Sequence, residues 1–160
     1  MLTVRPVVPA DLPAIDRIQR LCYQPHFHEP LATFAARLAL SPESSWLAES
    51  GGKVLGYFFT HPWRGDSPPP LGQSLHQLPP RPDTHFLHDL AVDPQARGRG
   101  IAPLLIQAAL TWGRQRGFKQ TRLVAVAGAA PFWRKWGFRA VSAAPQYGED
   151  AALMALADSH

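Results

Sequence analysis

Leu90-Ala91-Val92-Asp93-Pro94-Gln95-Ala96-Arg97-Gly98-Arg99-Gly100-Ile101 is the segment whose residue types and spacing point most directly to chemistry. An apolar, strand-like run ends, two glycines stand one residue apart, and an amphipathic helical pattern begins. Glycine lets the backbone approach a ligand closely and adopt positive φ. The first N–H groups of a helix have no partner inside it, and the helix dipole favours negative charge there. Arg97 and Arg99 add charge beside that nest. The chemistry this predicts is the holding of a pyrophosphate. Two familiar glycine loops fit worse. The dinucleotide fingerprint needs a third glycine where Pro103 stands, and the Gly-Lys-Ser/Thr of a nucleotide-triphosphate loop is absent.

His88 and Asp89 stand just upstream on the same strand. An imidazole titrates near neutrality and suits proton transfer. A carboxylate can bind a cationic amine or take a proton through water. Adjacent strand residues point to opposite faces, so only one of the two is expected to look into a cleft beside the turn. The pattern does not choose between them. It also allows one of them merely to hydrogen-bond across the sheet. His26 and His28 form a weak metal pattern with no cysteine partner, so no metal is expected.

These residues need elements to hold them. Leu2–Val8, Ser45–Glu49, Lys53–Thr60, Phe86–Val92, Thr121–Ala127, Phe138–Val141 and Ala151–Ala157 read as strands. Leu12, Ile15, Ile18 and Cys22 line one face of a first helix, with Asp11 as its cap. Leu31–Leu40 reads as a second helix, Gly98–Arg116 as a turn and a third, and Pro131–Trp136 as a short fourth. The resulting order, βααββ-βα-βα-ββ, predicts an α/β (α+β) fold with a mixed sheet flanked by helices. Residues 62–82 hold seven prolines in 21 positions, which predicts an inserted loop inside a single domain spanning 1–160. That loop leads into the strand of His88 and Asp89, so it is expected to border the cleft beside them.

With 160 residues and 46% hydrophobic content, the chain suits one domain with a substantial core. It shows no basic, apolar leader and no apolar run of membrane-spanning length, and Cys22 is its only cysteine. A cytoplasmic protein without membrane contact is the expectation. The net charge of +4 is uneven: nine basic and no acidic residues lie between Asp93 and Glu149, and the remainder sums to −5. A one-signed half reads as a docking surface for a polyanion, which a phosphorylated cofactor satisfies.

Gln95-x-x-Gly98-x-Gly100, with the preceding Leu-Ala-Val-Asp-Pro, resembles the acetyl-CoA signature of the GNAT N-acetyltransferase superfamily. A second block, Ala129-Ala130-Pro131-Phe132-Trp133-Arg134-Lys135-Trp136-Gly137-Phe138, resembles that family's Ala-x-x-Phe-Tyr-x-x-x-Gly-Phe. Two positions depart from it. Trp133 stands where the family often has a general-acid tyrosine, and Val126 where it commonly has an asparagine. Tyr147 is a candidate replacement acid, with an ordinary loop tyrosine as the plainer reading.

The resemblance implies a single-domain GNAT-like fold with a mostly antiparallel sheet, and acetyl-CoA as acyl donor. Its pantetheine would lie in a gap beside the strand, against backbone groups of Leu90, Ala91 and Val92. Arg97, Gly98, Arg99, Gly100, Ile101 and Ala102 would hold the pyrophosphate, with Gln95 of the signature also at the cofactor; Trp133 would pack along the cofactor, and Arg134 and Lys135 would meet its other end. A primary amine would attack the thioester directly, with the Val92 N–H facing the carbonyl oxygen and His88 or Asp89 handling the proton. The acceptor, a small cationic amine, would meet Tyr23, Glu29 and Asp89. No nucleic-acid partner is expected, and a homodimer is compatible with the chain. Two other classes remain: a catalytically weak acyl-CoA sensor, favoured by Trp133 and Val126, and a basic nucleic-acid-binding protein, favoured only by the charge.

Overall fold

Strand and helix signals resolve into the order β1 (Leu2–Pro6), α1 (Leu12–Cys22), α2 (Leu31–Leu40), β2 (Ser45–Ser50), β3 (Lys53–Trp63), β4 (Thr84–Val92), α3 (Ile101–Gln115), β5 (Gln120–Ala125), α4 (Ala130–Arg134), β6 (Phe138–Ala143) and β7 (Ala152–Leu156). The computed structural model describes residues 1–65, 68, 77–126 and 128–156. Among them the strands form one sheet in the order β1-β2-β3-β4-β5-β7-β6. Neighbours pair antiparallel except β4 and β5, which run parallel. This is the mixed sheet that the element order predicts, mostly antiparallel as the resemblance implies.

Two apolar layers cover the sheet. Ile15 and Ile18 of α1 and Phe34 and Leu38 of α2 pack with Tyr57, Phe59 and Ala91 on one face. Ile101, Leu105, Ile106 and Ala109 of α3 and Trp133 of α4 pack with Phe58, Leu87 and Leu123 on the other. The 3.6-residue spacing of apolar residues in each helix meets the two-residue alternation of the strands, and this sets which face each helix covers. Gly113 lets α3 come close, since a Cβ there would meet His85 Nδ1 at 2.5 Å.

Several boundaries differ from the sequence reading. Asp11 does not cap α1 with its side chain; a 3-10 turn at Pro9–Asp11 precedes the helix, and the carboxylate accepts from Val8 N–H and Arg5 instead. β3 runs on through His61 and Pro62 to Trp63, past the expected stop at Thr60. Proline is tolerated there because Thr60 N–H already bonds to Ser44 O, just outside β2. Two residues on, the missing proline donor faces no strand partner. The expected loop therefore begins at Arg64, and its described residues up to Asp83 form no regular element. Asp66, Ser67 and residues 69–76 of that segment lie outside the described residues.

Candidate active site

β4 carries the site because its two ends have different neighbours. Its first half pairs with β5 from Thr84↔Gln120 to Leu87↔Leu123, and the pairing stops there. Beyond that point a cleft of about 350 Å³ lies between the strands, lined by Leu87 to Leu90 on one side and Leu123 to Val126 on the other. Asp93 N–H donates to the Leu55 carbonyl of β3 at 2.8 Å. Strand alternation then directs the Ala91 peptide groups toward Tyr57 of β3 and those of Leu90 and Val92 into the gap. The Leu90 carbonyl accepts from the Tyr23 hydroxyl at 2.6 Å, and the Val92 carbonyl from the Cys22 thiol at 3.1 Å.

His88 and Asp89 both line this cleft, against the expectation that adjacent residues must diverge. The cause is a β-bulge. Phe59 pairs with Asp89 and Thr60 with Leu87, so His88 has no partner on β3. One extra residue reverses the alternation. Phe86 and His88 face the α1/α2 side before the bulge, beside His61. Asp89 and Ala91 face that same side after it, beside Tyr57 and in the apolar layer.

The polar groups at the closed end are arranged as a cluster. Asp89 accepts from the Tyr57 hydroxyl at 3.0 Å. Burial raises its pKa to about 6, with the Glu29 carboxylate adding to the shift and the hydroxyls of Tyr23 and Tyr57 and the Arg37 charge opposing it. Both tyrosine hydroxyls are pushed well above their ordinary value, by burial first and by Asp89 second. His88 Nδ1 is 3.4 Å from His61 Nε2, and its Nε2 is 3.9 Å from Glu29 Oε1. Burial holds His88 well below the usual imidazole value, and Arg37 and His61 push the same way. Glu29 is bound to Arg37 of α2 at 2.8 Å. It lines the cleft, and the Arg37 guanidinium balances its charge in place.

The glycine turn lies at the far end of β4. Asp93 accepts from Gln95 N–H at 2.9 Å and from Arg17 at 3.1 Å, which shapes the 3-10 turn at Pro94–Ala96. Gly98 and Gly100 then take φ of 82° and 77°, the left-handed region glycine accepts at least cost. α3 starts with Gly100 as its N-cap and no side-chain cap bond, so the N–H groups at Ile101 and Ala102 have no capping side chain. Gln95, Arg97 and Arg99 are exposed there, and Arg97 Nη2 lies 3.9 Å from Cys22 Sγ.

The remaining expected residues divide. Tyr23 and Trp133 line the cleft, and Trp133 is also a core residue, packed against Phe58 and Phe138. Arg134 is exposed on α4. Tyr147 lines the cleft from a 3-10 turn at Pro145–Tyr147, its hydroxyl pushed up to about 12 by burial. No described residue of the proline-rich segment lines the cleft. Pro62, Leu78 and Pro82 instead border a second cavity at the C-terminal end of α3, with Trp112 and Phe118. Arg37, His61 and Tyr57 escaped the sequence reading. A lone arginine among the apolar residues of α2 was the signal for the first. His61 was hidden by ending β3 at Thr60, three residues too early.

A model of the Acetyltransferase (GNAT) family matches residues 12–138, which span both helical layers, the cleft and the glycine turn. The chain belongs to the GNAT acetyltransferase family. Among curated relatives of this GNAT chain, N-acetyltransferase 8 of Mus musculus is 32% identical over 105 residues, covering 64% of this chain and 41% of the relative. The chain thus spans less than half the length of that protein. Ard1 from Thermoplasma volcanium has the same fold, with a TM-score of 0.79, 20% identity and 99% of each chain covered. A GNAT family acetyltransferase from Brucella melitensis, solved in complex with acetyl-CoA, aligns with a TM-score of 0.63 and 21% identity over 100% of this chain and 92% of that one. Likeness at these identities shows the GNAT fold. Among the described residues there is no group of three metal-ligating side chains and no helix long and apolar enough to cross a membrane.

Proposed function

We propose that this chain transfers an acetyl group from acetyl-CoA to a primary amine by direct attack on the thioester. The observation that carries the reading is the opening between β4 and β5. It presents the peptide groups of Leu90 and Val92 to an extended ligand, begins beside the glycine turn and ends at His88 and Asp89. The residues present fit acetyl-CoA. Ile101 and Ala102 N–H groups with Arg97 and Arg99 suit a pyrophosphate. Gap-facing strand peptides suit the amides of pantetheine.

Acetyl-CoA supplies an activated carbonyl with a thiol leaving group; the chain's residues supply position and proton handling. Holding the two reactants side by side removes much of the entropic barrier. Val92 N–H faces the gap and donates to the oxygen on which charge develops. The Asp89 carboxylate, ionised above pH about 6, draws in a cationic amine. His88 Nε2 takes a proton from the attacking nitrogen. The N–C bond forms as the C–S bond breaks, and the ammonium loses two protons in all. One ends on the CoA sulfur and one leaves to solvent. His88 stays neutral at working pH because burial disfavours its charged form, so its lone pair is available. A weak base suffices because amine protons become strongly acidic as the new bond forms.

The cleft favours a small acceptor. Phe27, Phe86 and Tyr147 line it beside the polar cluster. Thiol release from acetyl-CoA, measured against a panel of small amines, amino acids and peptides, tests the reading. Turnover with small amines supports it. Acetyl-CoA binding with no turnover on any acceptor would favour a sensor, and failure to bind acetyl-CoA would overturn it.

A further inference from the structure

His61 is buried on β3, touches no substrate-side surface, and is left over once the proposed chemistry is assigned. Its Nδ1 lies 2.9 Å from the carbonyl oxygen of Pro62. A carbonyl only accepts, so Nδ1 carries the proton. Burial lowers the His61 pKa to about 4, which leaves the ring neutral with a single N–H. Nε2 is then a bare acceptor. It faces His88 Nδ1 at 3.4 Å, a long hydrogen bond that forms only if His88 carries its own proton on Nδ1. The opposite tautomer of His88 would set two lone pairs against each other at this contact. It would also aim an N–H at Glu29 Oε1 across 3.9 Å, too far for a hydrogen bond, at a carboxylate already engaged by Arg37.

We propose that His61 is a positioning residue that fixes His88 as the Nδ1–H tautomer and so leaves His88 Nε2 as the proton acceptor in the cleft. The Pro62 carbonyl, His61 and His88 form a relay with one polarity, and Pro62 belongs to it because β3 continues past its expected end. Phe86 stacks on His61 with ring centroids 5.7 Å apart and Trp63 meets it edge-on at 5.5 Å, so the imidazole cannot turn over freely. The groups around His88 are Glu29 from the α1–α2 connection, Arg37 of α2, His61 of β3 and Asp89 of β4, with Tyr147 on the same cleft. Among these His61 has a lone pair directed at Nδ1, so it decides the tautomer. Protonation of Nε2 during turnover then places the new positive charge 3.9 Å from the Glu29 carboxylate, whose field offsets part of it without a hydrogen bond.

The role of this tautomer in catalysis rests on the reading of His88 as base, but the tautomer is measurable without activity. Two-bond ¹H–¹⁵N correlation spectra of protein labelled with ¹⁵N-histidine distinguish the two ring nitrogens, and His88→Gln assigns the His88 signals by removing them. At pH 7.5 the unsubstituted protein is expected to show His88 with its proton on Nδ1. His61→Phe is expected to shift that population toward Nε2–H. It should lower kcat at least about tenfold, within the ~10²–10⁴ a positioned base supplies, with KM for acetyl-CoA unchanged. His61→Gln, whose side-chain carbonyl accepts from Nδ1–H, is expected to restore both the tautomer and most of the rate. A His88 proton on Nε2 in the unsubstituted protein would overturn the inference, even if His61→Phe does not fold. An unchanged tautomer in a folded His61→Phe would do the same. A switched tautomer with no acetyl transfer to any amine would uphold His61 as the tautomer's determinant and reject the proposed function.

Discussion

Arg37 Nη2 stands 2.8 Å from Glu29 Oε2, with 2% and 9% of the two side chains exposed. The pair joins α2 to the loop that precedes it, and Glu29 lines the cleft. Gln19 holds the same loop, accepting from Glu29 N–H at 3.0 Å and donating to Glu29 O at 2.7 Å.

Removing one partner leaves the other charge buried and uncompensated. Arg37→Met is expected to cost about 3–5 kcal/mol in unfolding free energy. Adding Glu29→Gln should recover a large part of it, because the stranded charge is gone. Urea titration of both variants checks this, and a double variant as unstable as the single one would show that packing, not charge, dominates.

Asp89 has a sign opposite to most carboxylates. Its pKa is raised from 3.8 to about 6 in the folded state. The unfolded chain therefore gives up the proton first. Ionised Asp89 lowers stability at neutral pH, fully above pH about 6, and the cost fades as pH falls toward 3.8. Asp89→Asn should raise the melting temperature at pH 7.5 and leave it nearly unchanged at pH 4. The same variant should raise acceptor KM several-fold at pH 7.5 without altering acetyl-CoA affinity. In the unsubstituted protein acceptor KM should climb as pH drops through about 6.

Gly100 has φ of 77° and open space where a Cβ would be. Gly100→Asn tests backbone conformation alone, since asparagine tolerates the left-handed region. Gly100→Asp adds a negative charge to the same shape. Calorimetry should find acetyl-CoA affinity reduced at least about tenfold more by aspartate than by asparagine, which is ~1.4 kcal/mol. Equal affinities would remove the phosphate from this turn.

Trp133 is buried between Phe58 and Phe138, and its indole N–H is far too weak an acid to serve a thiolate. Trp133→Phe should cost about 1–2 kcal/mol of stability through lost packing. The single-turnover acetyl-transfer rate should stay within a few-fold of the original. A hundredfold drop with affinity and fold intact would give Trp133 a part in the chemistry.

The sequence alone determined the order of elements, the family and the glycine turn. Each depends on local physics: 3.6- and two-residue periodicity, positive φ at Gly98 and Gly100, and free N–H groups at a helix start. It also located His88 and Asp89 on the strand leading to that turn. Tertiary structure decided where those two residues point. A bulge is a mismatch between two strands, so it is invisible in the pattern of either one, and it alone turns both side chains into one cleft. The pairing of Glu29 with Arg37 and the contact of His61 with His88 are likewise long-range. They depend on how α2 and β3 pack against β4, and that geometry, not residue type, made Glu29 a balanced wall residue and gave His61 its hold on His88.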